Sequence, residues 1–285
     1  MREAHAVVSL PALDLRTRPA HPAELGSQLL LGEVVRVLAA DRTKQWFRVC
    51  NVADGYEGWV RGWGLARCTR ARAARWLAAA QTLVLAPIAL ARTGPGHGAA
   101  LSPLFFGGRL IAGRRRGVHR PIELPDGRRG WVEAEALRPA ASAPPEPMAR
   151  VRSLLGTPYL WGGRTPAGYD CSAFVQQVLL EQGLALPRDA HEQSLACEAL
   201  PKGEPERFGD LAFFSVRRKS RMGHVGLALG GGWFAHARGV VRLDSMNDSN
   251  PMYPNDLGAQ FRGWYRPLPG RALSARKNQR EPESA

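Results

Sequence analysis

Lysine is scarce in this 285-residue chain: Lys44, Lys202, Lys219 and Lys277 are the lysines among 39 basic residues, and 25 acidic residues leave a formal charge of +14. The arginines are scattered apart from short runs such as Arg114-Arg115-Arg116. Zinc-finger spacing and aromatic RNA-binding motifs are missing, so no nucleic-acid partner is expected. The basic excess suits an acidic small substrate or an anionic polymer, and a base-composition bias would produce it equally well. Cysteine is also rare. Cys50, Cys68, Cys171 and Cys197 form no C-x-x-C pair, which argues against a zinc site and against a disulfide framework. No cofactor is expected. Long hydrophobic runs are lacking too: "LAAAQTLVLAPIALA" (77–91) is too short for a membrane span and holds Gln81 and Pro87. The start, "MREAHAVVSLPALDLRTRP", has no apolar stretch of signal-peptide length. The expectation is a cytoplasmic monomer with no membrane partner.

Apolar residues make up 45% of the chain, which fits a globular protein of two or three domains. Residues 1–70 read as short strands and turns, with "GEVVRVLAA" and "QWFRVCNV" at strand length. "DGYEGWV" at 54–60 returns as "DGRRGWV" at 126–132, each after an apolar strand and each ending near a leucine, Leu65 or Leu137. The pattern predicts a duplicated all-β unit, 1–70 and 76–138, with the second copy degenerate. Prolines and small residues at 139–147 read as a linker. A third unit, 148–268, follows, and the polar tail 269–285 reads as disordered.

In that third unit a glycine-rich loop, "TPYLWGGRTPAGYD", runs into an apolar-striped helix at 171–183. Cys171 opens this helix and Asp170 is a natural N-cap. The positive helix end and its unpaired N–H groups favour a thiolate, so a depressed thiol pKa is expected. A base is still needed. Of seven histidines, His224 and His236 lie on strands joined by a glycine turn at 230–232, where one imidazole can hold the other and fix its tautomer. Spacing alone leaves this arrangement and ordinary core histidines about equally open.

Read in order, "YLWGGRTPAGYDCSAFVQ", "LPRDAHEQ", "GDLAFF", "HVGLALG" and "FAHA" resemble the successive motifs of the NlpC/p60 family, over residues 148–268. These are papain-like cysteine peptidases of bacterial cell-wall peptides. The resemblance implies an α+β architecture, a papain-like peptidase domain preceded by two small SH3-like β-barrels. It implies Cys171 as nucleophile, His224 as general base and His236 as its orienter. Tyr159 would present its hydroxyl to the oxyanion. Ala173 departs from the glycine usual in the family's D-C-S-G-F. Two SH3-like units ahead of such a domain resemble the γ-D-glutamyl-L-diamino-acid endopeptidases. They cleave L-Ala-γ-D-Glu-diamino-acid murein peptides and demand a free L-Ala amine. On that resemblance Tyr56, Glu24 and Asp170 would surround the ammonium, while Arg128 replaces the tyrosine in the second copy. Ser172 would bind the D-Glu carboxylate or cap the helix, and Trp161 would wall the groove or pack a core. Arg188 and Asp189 would hold their loop or touch substrate. The expected role is recycling of wall peptides. The alternatives are a lytic wall hydrolase and a non-catalytic wall-binding module.

Overall fold

A computed structural model describes residues 4–215 and 221–268, and the tail expected at 269–285 lies outside them. The chain separates into two compact units. The first gathers the residues up to Pro144 with Trp161–Ala167; the second holds Pro145–Leu160 and the chain from Gly168 onward.

The first unit contains two barrels. One is built from β1 (His5–Val8), β2 (Ala12–Arg16), β3 (Leu25–Leu30), β4 (Val34–Ala40), β5 (Trp46–Asn51), β6 (Glu57–Arg61) and β7 (Leu65–Cys68). The other uses β8 (Thr82–Val84), β9 (Ile88–Arg92), β10 (Ala100–Phe105), β11 (Arg109–Ala112), β12 (His119–Glu123), β13 (Arg129–Glu133) and β14 (Leu137–Pro139). Their strand orders, β3-β2-β6-β5-β4-β1-β7 and β10-β9-β13-β12-β11-β8-β14, correspond strand for strand. So do their registers, with Trp59 opposite Arg16 and Trp131 opposite Arg92. The D-G-x-x-G-W-V repeat therefore marks the same hairpin in both barrels. Period-two alternation fills each core: Leu13, Leu15, Val49 and Val60 in the first, Ala91, Leu104, Ile122 and Val132 in the second.

Helix α1 (Arg70–Ala79) joins the barrels and has little sequence signature, because arginines at 70, 72 and 75 crowd its short apolar face of Ala73 and Trp76. The Trp76 indole donates to the Gly32 carbonyl at 2.9 Å. Gly32 has φ +83°, and a Cβ there would lie 2.1 Å from the Arg109 carbonyl oxygen, so only glycine fits this seam.

The segment 161–167 was expected in the peptidase domain, yet it clusters with the barrels. Arg164, in the short strand β15 (Arg164–Thr165), is 2% exposed. Its guanidinium forks onto Glu33 at 3.0 and 3.1 Å and donates to the Gln28 carbonyl at 2.7 Å. Gly162 has φ +76°, and a Cβ there would come within 2.4 Å of the Leu25 carbonyl oxygen. A buried fork of this kind outweighs sequence proximity, because an unpaired buried guanidinium is costly.

The second unit starts with α2 (Pro147–Leu154), one residue ahead of the expected boundary. Glu146 caps it by accepting from the N–H groups of Met148 and Ala149, and Pro147 supplies a first-turn residue that needs no donor. Strand β16 (Gly168–Tyr169) leads into α3 (Cys171–Glu181). Then come α4 (Ala190–Leu195), β17 (Cys197–Ala199), β18 (Leu211–Ser215), β19 (Met222–Gly230), β20 (Trp233–Arg238), β21 (Val240–Ser245), α5 (Asn255–Gly258) and β22 (Phe261–Pro267). The sheet order is β17-β22-β18-β19-β20-β21, all antiparallel. Phe174, Val175 and Val178 of α3 share a core with Phe213, Val225 and Leu227 of the sheet. Phe214, Phe234 and Leu257 form a second cluster, with Phe261 and Trp264 packed against it. The protein thus has the α+β architecture of a papain-like domain preceded by SH3-like barrels. Among the described residues no helix is long and apolar enough to cross a membrane.

A buried ion pair ties α2 to α3: Arg150 donates to both oxygens of Glu181 at 2.8 Å, with side chains 4% and 3% exposed. Glu181→Ala removes the carboxylate that the buried guanidinium forks onto, so a loss of about 3–5 kcal/mol is expected, or roughly 10 °C in melting temperature. Thermal unfolding followed by circular dichroism checks this, and an unchanged melting temperature contradicts it.

Candidate active site

Asp170 builds the start of α3. Its backbone is extended, with φ −86° and ψ 173°, and Oδ1 accepts the Ala173 N–H at 2.8 Å. This fixes Cys171 in the first helical turn, 7% exposed, within hydrogen-bonding reach of the Ser172 and Val225 backbone N–H groups. Ala173, where the family has glycine, is fully buried without displacing the cap.

His224 stands next to Val225 on β19, and His236 lies on the neighbouring antiparallel strand β20 across the glycine turn. The structure brings them together: His224 Nε2 and His236 Nδ1 are 2.7 Å apart. A residue missed in the sequence extends the chain. His236 Nε2 lies 3.0 Å from Asp244 Oδ2 on β21, and Arg242 donates to the other oxygen, Oδ1, from Nε at 2.9 Å and from Nη2 at 2.8 Å. Its signal was an acid on the next strand of the meander, with Arg242 in register opposite His236. Aromatic rings flank the pair: Phe214 at 5.5 Å from the His224 ring and Phe234 at 4.7 Å from the His236 ring.

Tyr159 is half-buried. Its backbone is held by a bond from its N–H to the Gly239 carbonyl at 2.8 Å. Burial, then the nearby Cys171 and Asp170, raise its phenol above the usual range, so the hydroxyl keeps its proton and is a donor. Ser172 donates to Asp170 Oδ1 at 3.1 Å and accepts from Arg188 Nη1 at 2.9 Å. Arg188, 1% exposed, also forks onto Asp170 at 3.0 and 2.6 Å. Asp170, expected both to cap the helix and to face a substrate ammonium, has its carboxylate on Arg188, Ser172 and the Ala173 N–H, contacts that hold the start of the nucleophile's helix. Asp189 takes the N-cap position of α4.

The remaining expected site residues belong to the first barrel's unit. The Tyr56 hydroxyl lies 3.3 Å from the Gly26 carbonyl, two residues beyond Glu24. Glu24 is exposed and accepts from the Trp161 indole at 2.9 Å. Trp161 is 59% exposed, so it is a surface ring rather than core packing. Among the described residues no His, Cys, Asp and Glu cluster is placed to hold a metal ion.

The expected depressed thiol pKa is overturned. Burial, followed by the Asp170 charge, pushes the Cys171 thiol up to about 12, against the lowering effect of the Val225 and Ser172 N–H groups and of Arg188. Burial, then His236, brings His224 down to about 3. Both directions favour a resting neutral thiol beside a neutral imidazole. Alkylation of Cys171 by iodoacetamide, followed by mass spectrometry, is therefore expected to accelerate with pH through the neutral range. A rate already flat below neutral pH would reveal a resting thiolate and overturn this.

Residues 156–257 match the model of the NlpC/P60 family, and residues 15–64 that of the bacterial dipeptidyl-peptidase SH3 domain. The γ-D-glutamyl-L-lysine dipeptidyl-peptidase of Bacillus subtilis is 42% identical over 84 residues, 29% of this chain and 28% of that protein. The Bacillus cereus protein of the same name is 26% identical over 229 residues, 75% of this chain and 67% of the relative. A crystal structure of a Bacillus cereus NlpC/P60 family protein aligns with a TM-score of 0.75 at 22% identity, covering 94% of this chain and 99% of that one, a likeness of fold.

Proposed function

We propose, on the premise that this chain carries an NlpC/P60 domain behind a bacterial dipeptidyl-peptidase SH3 domain, that it is a cysteine endopeptidase of murein peptides with a free N-terminal L-Ala, cutting between γ-D-Glu and the diamino acid. The observation that carries the reading is the Cys171 thiol at the helix start, beside a strand bearing a histidine whose imidazole is held by a second. As substrate carbonyl carbon approaches, the thiol proton passes to His224 and the S–C bond forms. The oxyanion is met by the Tyr159 hydroxyl and the Cys171 N–H. Collapse breaks the C–N bond, with His224 returning its proton to the leaving amine. Water, deprotonated by His224, then hydrolyses the thioester and frees Cys171.

The substrate is proposed from the resemblance in domain order and from the names of the relatives. In support, the Tyr56 hydroxyl meets the Gly26 carbonyl two residues beyond Glu24, whose exposed carboxylate is able to meet an ammonium. Intact wall has its L-Ala amine amide-linked to sugar, so the same reading makes this a recycler of released peptides rather than a lysin. The test compares L-Ala-γ-D-Glu-diaminopimelate with intact sacculi, using wild type and Cys171→Ala. Cleavage of the free peptide alone, lost in Cys171→Ala, is expected. Sacculus lysis at a comparable rate favours the lytic hydrolase, and no cleavage of either favours the binding module.

A further inference from the structure

We infer that Asp244 is a positioning residue that sets the tautomers of His236 and His224 in turn, leaving His224 Nδ1 unprotonated to take the thiol proton. The inference rests on the reading of His224 as the base, but its central observable, the tautomer, does not require a substrate.

Each step follows from donor counting along two hydrogen bonds. The Asp244 carboxyl lies below the usual carboxylate range. Burial raises it, but the His236 bond and charge and the Arg242 guanidinium outweigh that, so it is ionised at neutral pH and can only accept. His236 Nε2, 3.0 Å from Oδ2, must then carry the proton of that bond. Burial holds His236 below its usual range, so at neutral pH it has one ring proton, and Nδ1 is left as an acceptor. The bond at 2.7 Å therefore needs a proton on His224 Nε2. A neutral His224 with its proton there has its lone pair on Nδ1, the form a base requires.

Burial and aromatic walls enclose the row. His236 is fully buried and Asp244 is 1% exposed, with Phe234 against one imidazole and Phe214 against the other. The charged groups acting on His236 are Asp244 and Arg242 on the neighbouring strand β21 and Arg238 on its own strand β20. Arg242 makes the arrangement directional. Because it donates to Oδ1, an asparagine at 244 would turn its carbonyl to Arg242 and its NH2 to His236 Nε2. That reverses every donor in the row: His236 protonated on Nδ1, His224 on Nδ1, and no lone pair left for the thiol.

The test is uniform 15N labelling with two-bond 15N–1H correlation spectra of the imidazoles, alongside kinetics on the free murein peptide. The wild-type spectrum is expected to show the Nε2–H tautomer for both histidines. Asp244→Asn is expected to move both to Nδ1–H and to lower kcat about a hundredfold with KM nearly unchanged; breaking the analogous contact in a serine–histidine–aspartate triad costs about 10^4-fold, and Asp244 stands one imidazole further from the chemistry. Asp244→Glu, which keeps an ionised acceptor, is expected to restore the wild-type tautomers and part of kcat. An Nδ1–H tautomer for His224 in the wild type overturns the inference whether or not the variants fold. So does a fall in kcat for Asp244→Asn with wild-type tautomers. Correct tautomers with no peptide cleavage would instead defeat the proposed substrate while leaving the relay standing.

Discussion

His224→Ala is expected to lower kcat/KM on the free murein peptide by on the order of 10^4-fold, and His236→Ala by roughly ten- to a hundredfold. The difference comes from what water can replace. The neutral thiol is pushed up to about 12, so at neutral pH almost no thiolate forms unless a base takes the proton during attack. His224 is the imidazole adjacent to Val225, whose N–H touches that thiol, and removing it takes away the imidazole read as the base. His236 acts one bond further out. Its removal lets a water accept from His224 Nε2, which keeps a usable lone pair on Nδ1 but loosens the ring. The loss should fall mainly on kcat, because neither ring is placed to bind the peptide as such. Steady-state kinetics of both variants provide the check. Equal losses would merge the two roles, and a reversed order would exchange them.

What the sequence made legible was local or periodic. The helix start at Cys171 followed from a glycine loop, an Asp cap and a 3.6-residue apolar stripe. The hairpin that joins His224 to His236 followed from two strands around a glycine turn, and the barrel duplication from a seven-residue repeat. What stayed hidden depended on partners distant in the chain. Asp244 falls in none of the motifs read from the sequence, and the β20–β21 register with the His236 contact shows where it reaches. The Asp170 cap was legible, whereas its fork with Arg188, 18 residues on, was not. Arg164 and Glu33 are 131 residues apart, so the loop 161–167 could not be placed with the first barrel's unit from its composition. The thiol pKa was misjudged for a related reason: a helix end is visible in sequence, whereas the burial that outweighs it is a property of packing.

Acetylating the L-Ala amine of the substrate is expected to reduce kcat/KM by about a hundredfold. On the proposed reading that ammonium meets Glu24. Acetylation removes the charge, adds bulk, and takes away the charge-assisted hydrogen bond between ammonium and carboxylate. A hydrogen bond to a charged group contributes about 1.5–3 kcal/mol, and about 3 kcal/mol corresponds to roughly a hundredfold in rate. The two acidic residues first expected at the ammonium now separate. Glu24 is exposed, and its hydrogen bond is to the neutral Trp161 indole, so its charge has no cation in that contact. Glu24→Gln should therefore shrink the ratio between free and acetylated peptide, chiefly by slowing the free one. Asp170 already faces the Arg188 guanidinium and caps α3. Asp170→Asn should loosen the start of the Cys171 helix and depress cleavage of both peptides alike, with the ratio kept. Comparing kcat/KM for the two peptides across wild type, Glu24→Gln and Asp170→Asn distinguishes these effects. Equal values for free and acetylated peptide in the wild type would remove the demand for a free amine, and with it the reading of this enzyme as a recycler of released wall peptides.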